Sequence, residues 1–174
     1  MSREGALIVM IAAAVVLLAV GVWAWRRRTR RDSGIAAPVG ELPDGAAPTA
    51  AFSGLYVATT RHDEPLERLA IRGLGFRSRV DVTVAAGAAG GGVALDLTGQ
   101  PRLFIPAGRI VSVDQATVAI DRVVEKQGLT RLSWRIDDAT IVDSYFRPQT
   151  ASARALAEAI QTIVTPIQTP GGDA

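Results

Sequence analysis

Outside the N-terminal region, the groups best placed to bind something are five arginines close together in the chain: Arg61, Arg68, Arg72, Arg77 and Arg79. A guanidinium can fork onto a phosphate or a carboxylate. In an extended segment, a spacing of two puts Arg77 and Arg79 on one face. Arg72, Arg77 and Arg79 are therefore the candidate contacts for an anionic headgroup or an acidic partner, with Asp63, Glu64 and Glu67 diluting their charge. His62 is the only histidine. Set between Arg61 and Asp63-Glu64-Pro65, it reads as part of a solvated loop and not as a general base, which would need a reacting proton within reach. Asp137-Asp138 has the composition of a turn, and the sequence identifies no further oxygen ligands that would make it a metal site. The glycines at 87 and 90–92 are followed by no Gly-Lys-Ser/Thr. Gly73-Leu74-Gly75 has Ser78 where a dinucleotide fingerprint needs its third glycine. Cysteine is absent, which removes thiolate nucleophiles, thiolate metal sites and disulfides together. No catalytic, cofactor-binding or metal-binding residue is assigned, and the chain reads as a non-enzyme.

Charge and hydropathy are unevenly distributed. Residues 52–174 hold 13 of the 19 Lys+Arg and 13 of the 17 Asp+Glu, so that part is formally neutral and the basic excess lies before it. A nucleic-acid partner would require a cationic patch on the folded part, so none is expected. Residues 6–25, ALIVMIAAAVVLLAVGVWAW, carry no charge, and about 20 helical residues match a hydrocarbon core of about 30 Å. Trp23 and Trp25 stand where indoles favour the headgroup layer. The run Arg26, Arg27, Arg28, Arg30 and Arg31 follows immediately, against Arg3 and Glu4 on the other side. Basic residues stay on the cytoplasmic side. The expectation is a single-pass protein of the cell membrane, with residues 1–5 outside, a membrane helix over 6–25, a basic juxtamembrane run over 26–31 and the remainder in the cytoplasm. A cleaved leader would carry its positive charge before the apolar run and a small-residue cleavage site after it, unlike this sequence.

Residues 32–51 are rich in Ala, Pro and Gly without apolar periodicity, the composition of a tether. From Phe52 the pattern becomes short alternating runs. Val80, Val82 and Val84 are one example, Val93, Leu95 and Leu97 a second, and Leu132, Trp134 and Ile136 a third. Further strands are expected over 54–60, 102–105, 110–114, 116–124 and 140–146. Seven or eight short strands imply a mainly β fold, an antiparallel sandwich or small barrel. Leu156, Ile160, Ile163 and Val164 recur at helical spacing, so a helix of about four turns, capped by Thr150 or Ser152, should bury one face against the sheet. The domain is placed at 52–165 and a flexible tail at 166–174.

Strands in that order followed by one capping helix resemble the pleckstrin-homology (PH) superfold. The segments GLYVATTRHDEPLERL, RGLGFR, PRLFIPAGRI and TRLSWRIDDATIVDSYFRP are similar to a family of actinobacterial membrane-anchored proteins with a PH-like domain, often labelled transporter or putative membrane protein. The resemblance covers nearly the whole chain. It implies the PH-like fold, the one-helix anchor and a gene neighbourhood with pyrimidine biosynthesis, and it brings no catalytic residue. Arg77-Ser78-Arg79 resembles the Arg-x-Arg that PH domains set against inositol phosphates, whereas the C-terminal helix lacks tryptophan, which PH helices carry. The leading expectation is an interaction or scaffold module for a protein partner. The alternatives are a module binding anionic lipid or a phosphate headgroup, and an accessory subunit of a membrane transport complex, since one uncharged helix cannot form a permeation path alone.

Overall fold

Branched apolar residues that alternate with polar ones favour extended chain, because each face of the pleat then meets one environment. That rule places β3 (Ser78–Ala86), β4 (Gly92–Leu97) and β7 (Leu129–Arg135) where the alternation is cleanest. The computed structural model describes residues 3–32, 36–75, 77–87, 90–117 and 128–164, and the chain forms two units, Met1–Gly34 and Ile35–Ala174.

The first unit is α1, Arg3–Asp32. Its candidate spanning stretch Leu7–Arg27 is 21 residues long with a mean hydropathy of 2.8 and none of it buried, about 31 Å of helix that is uncharged up to Trp25. A helix of that length and composition can cross a membrane, as an anchor or as a signal sequence. It continues without a break through the arginine run that was expected to lie beyond the membrane segment.

The second unit is one antiparallel sheet with the order β5-β4-β3-β1-β8-β7-β6, and β2 pairs with β1 off this path. The remaining strands are β1 (Ala47–Arg61), β2 (Glu64–Arg68), β5 (Leu103–Pro106), β6 (Ile110–Ala116) and β8 (Ile141–Pro148). β1 joins the two halves: it pairs with β3 over 47–56 and with β8 over 54–61, with a register shift between Tyr56 and Ala58. The inner face carries Val80, Val82, Val84, Leu95, Leu132, Trp134 and Phe146, all buried, and burying each such side chain contributes about 1.5–3 kcal/mol. Polar tips that enter this core are satisfied in sequence. Trp134 Nε1 donates to Ser144 Oγ at 3.0 Å, Ser144 Oγ lies 2.7 Å from Thr59 Oγ1, and the Tyr56 hydroxyl donates to Thr59 Oγ1 at 2.9 Å. Burial pushes the Tyr56 hydroxyl up to about 12, so it remains a donor.

α2 (Ala153–Gln161) starts at Ser152, whose side chain accepts from Ala155 N, and buries Leu156 and Ile160 against the sheet. It is shorter than the four turns expected: residues 162–164 form a turn, and Thr162 Oγ1 donates back to Ala159 O at 2.7 Å. Gln161 Nε2 reaches Val113 O of β6 at 3.3 Å.

Two expectations from composition need correcting. The tether is in part domain, because β1 already begins at Ala47 and residues 36–40 lie along the far edge of β5. There Phe104 N donates to Pro38 O at 3.1 Å, Gly40 N donates to Arg102 O at 3.2 Å, and Ala37 is buried. A proline has no N–H to give, yet its carbonyl still serves an edge. The strand Glu64–Arg68 was unforeseen. Of the run expected over 116–124, Ala116 ends β6, while 118–124 falls outside the described residues, as does the tail from 165.

Asp137 builds the β7–β8 turn, accepting from Ala139 N at 2.9 Å and Thr140 N at 2.7 Å. The Ala139 bond, with Thr140 adding to it, holds the Asp137 carboxyl below its ordinary value. A depressed folded value means that the turn keeps its full contribution above the ordinary carboxylate range and loses it as pH falls through the lower, folded value. An NMR titration should place the Asp137 midpoint below about 3.9; a midpoint at or above that would contradict the turn.

Candidate functional site

On β3, burial of Val80, Val82 and Val84 turns Arg79 to the outer face. Arg77, two residues earlier, is also exposed. Arg72 is exposed in the connection between β2 and β3, and its carbonyl accepts from Ala37 N at 3.0 Å. Register then adds a residue that sequence reasoning missed. Leu55 of β1 pairs with Arg79 on one side and with Arg147 of β8 on the other, so two arginines flank one leucine on the outer face. Arg147 stands at the end of a run expected to stop at 146, and only the pairing of β1 with β8 reveals its neighbour.

Several other arginines of this unit pair with carboxylates. Arg102 bridges Asp96 at 2.7 Å and Glu41 at 3.2 Å, Arg61 meets Glu67 at 3.5 Å, and Arg154 meets Glu158 at 2.7 Å. Among the described residues, no carboxylate lies within ion-pair distance of Arg72, Arg79 or Arg147.

A second cluster lies farther along the outer face, around Asp143 of β8, which is fully buried. Asp143 Oδ1 accepts from Ser133 Oγ at 2.7 Å and from His62 Nδ1 at 2.8 Å, and Oδ2 accepts from Asp63 N at 3.1 Å. Arg131 stands 3.9 Å from Oδ2, 3.6 Å from Asp63 Oδ1 and 3.1 Å from Asp114 Oδ2. Asp63 has a φ of +59°, a left-handed turn conformation that aspartate tolerates. His62 is therefore not simply solvated: a buried carboxylate ties it to the sheet.

By position, His62, Asp63 and Asp143 could offer three ligand atoms to a metal ion. Asp143, however, already takes three donors and Arg131 supplies the counter-charge, which is how a buried carboxylate is satisfied. A nucleophile relay would put a serine on the far nitrogen of the imidazole. Here Ser133 and His62 converge on the same carboxylate oxygen, and His62 Nε2 faces Asp63 Oδ2 at 3.4 Å.

At the start of the chain, the expected membrane-exit residues meet within one helix. Trp23 and Trp25 are exposed, and the Arg27 guanidinium lies 5.4 Å from the Trp23 ring centroid, a cation–π distance. Arg26 is exposed as well, while the side chains of Arg28, Arg30 and Arg31 lie outside the described residues.

Seven strands in the order β5-β4-β3-β1-β8-β7-β6, closed by a C-terminal helix and preceded by an apolar helix, define a PH-like domain with an N-terminal helix of membrane-crossing length. Residues 34–162 match the family described as Bacterial PH domain-like, and the chain belongs to it. Comparison with curated proteins and with solved structures finds no match.

Proposed function

We propose that this chain is a single-pass, membrane-anchored, non-enzymatic interaction module. In this reading α1 crosses the cell membrane with the N-terminus outside. Trp23 and Trp25 sit at the inner interface, and Arg26, Arg27, Arg28, Arg30 and Arg31 keep the domain in the cytoplasm. The partner is a protein that adds an extended segment to the sheet.

The unequal treatment of the two sheet ends carries the reading. An open edge strand is a template for another strand, and proteins usually cover it. The β5 edge is covered by the chain's own residues 36–40. Among the described residues β6 pairs with β7 alone, and Gln161 meets just one of its carbonyls. Strand addition at such an edge is a common mode of peptide recognition. The convergence of Ser133 and His62 on one carboxylate oxygen supports a non-enzymatic role.

Proximity labelling from a C-terminal tag in a native host tests this, comparing the full chain with a control that keeps residues 1–34. A discrete set of proteins labelled only when the domain is present is the expected result, and matching patterns would overturn it. A reporter fused after Ala174 that works only outside the cytoplasm would reverse the orientation.

A further inference from the structure

Arg79, Leu55 and Arg147 form one row across three neighbouring strands on the outer face of the sheet. Neighbouring strands lie about 4.8 Å apart, so the two guanidinium stems rise on either side of the leucine, about 10 Å from each other at their bases. Both arginines lack a carboxylate within ion-pair distance among the described residues, in a domain where Arg61, Arg102, Arg131 and Arg154 each have one. Arg77, also exposed, stands one residue before β3 begins. The nearest acid on the same face of β3, Asp81, is engaged by the Ser53 hydroxyl at 2.5 Å.

We propose that this row is a docking face for an anionic lipid surface, through which the domain lies against the bilayer. Two cations without an ion pair among the described residues, flanking a half-exposed leucine, match a layer of negative headgroups over an apolar interior. Lipid is favoured over other anions because the same chain carries a membrane-length helix, so bilayer surface is the anion it meets at the highest effective concentration. The proposal rests on the anchor argued above and is independent of a protein partner at β6.

The chain contains no cysteine, so one introduced thiol reports without background. Ala51 is exposed on the same face, paired with Thr83. The full chain carrying Ala51→Cys and a fluorophore is placed in lipid nanodiscs that contain a headgroup-bound quencher. Discs of phosphatidylcholine alone are compared with discs holding about 30 % phosphatidylglycerol. Quenching should appear with the anionic lipid and vanish at about 0.5 M salt, where screening is short-ranged. Arg79→Ala and Arg147→Ala should each lower the docked-to-free ratio about fivefold, and the pair about 25-fold. Arg135→Ala, on an exposed arginine six residues from the row along β7, should leave it unchanged.

Equal quenching in both kinds of disc would overturn the proposal. So would an equal loss with Arg135→Ala, which would mean diffuse charge, or displacement by inorganic phosphate at constant ionic strength, which would mean a site for free anions. Failure of the full chain to enter discs would remove the anchor, and this inference with it. Insertion without quenching sinks the docking face alone.

Discussion

Asp143→Ala is expected to destabilise the domain by about 3–5 kcal/mol, the cost of breaking a buried charged network by removing one partner. Three donors converge on this carboxylate from β7 and from the turn that joins β1 to β2: Ser133 Oγ, His62 Nδ1 and Asp63 N. Alanine strands the Ser133 hydroxyl inside the protein at about 1–3 kcal/mol and leaves Arg131 with less counter-charge. The left-handed Asp63 also loses the bond that fixes its backbone. Thermal unfolding of the full chain in detergent, followed by near-ultraviolet circular dichroism, should show a midpoint lower by about 10 °C or more. His62→Ala should cost less, about 1–2 kcal/mol, because it removes one half-exposed donor and leaves the carboxylate its other two. A variant at Asp143 within about 1 kcal/mol of the parent would mean that water replaces the donors and that the carboxylate is not integral to the fold.

Why this network escaped sequence reading follows from what alternation encodes. Alternation in ATIVDSYF tells which side chains share a face, and it assigns Asp143 and Tyr145 to the wet one. It cannot tell that the outer face is itself covered. Here the Asp63 turn and Arg131 fold over that face, and Asp143, Ser133, Thr60 and Tyr145 are all buried. The same limit hid Arg147, whose partner row exists only through β1–β8 pairing. Where the pattern alone decides, it served well: β3 and β4 lie on Val80–Val84 and Val93–Leu97, β7 takes in Leu132 and Trp134 and stops just short of Ile136, and α2 buries Leu156 and Ile160 after a Ser152 cap. The tether failed for the opposite reason. Residues 36–40 carry no alternation because, Ala37 apart, which is buried in the core, they lend backbone groups to the edge of β5, a task that Pro, Val and Gly perform without a pattern.

Gly54→Ala should cost about 3 kcal/mol, more than its single methyl group suggests, since overpacking a tight site costs about 1–3 kcal/mol and occasionally more. Gly54 lies where β1 is paired on both sides, with Val80 of β3 and with Pro148 of β8. A Cβ there would overlap the Arg147 carbonyl oxygen and come within 2.8 Å of the Pro148 Cα. Both are backbone, so no rotamer change can relieve the clash. The φ at this glycine is not left-handed; its requirement is for space and not for conformation, which separates it from a turn glycine such as Gly99 with φ +77°, where a Cβ meets nothing within 4 Å. Relief would require β8 to move away from β1, and that movement would part Arg147 from Leu55. The variant should therefore lower the unfolding midpoint and also weaken docking on anionic discs, whereas Gly99→Ala should lower stability by about 1 kcal/mol and leave docking intact. If Gly54→Ala unfolds at the parental temperature, close packing of β8 against β1 at this glycine is not what holds the two halves of the sheet together.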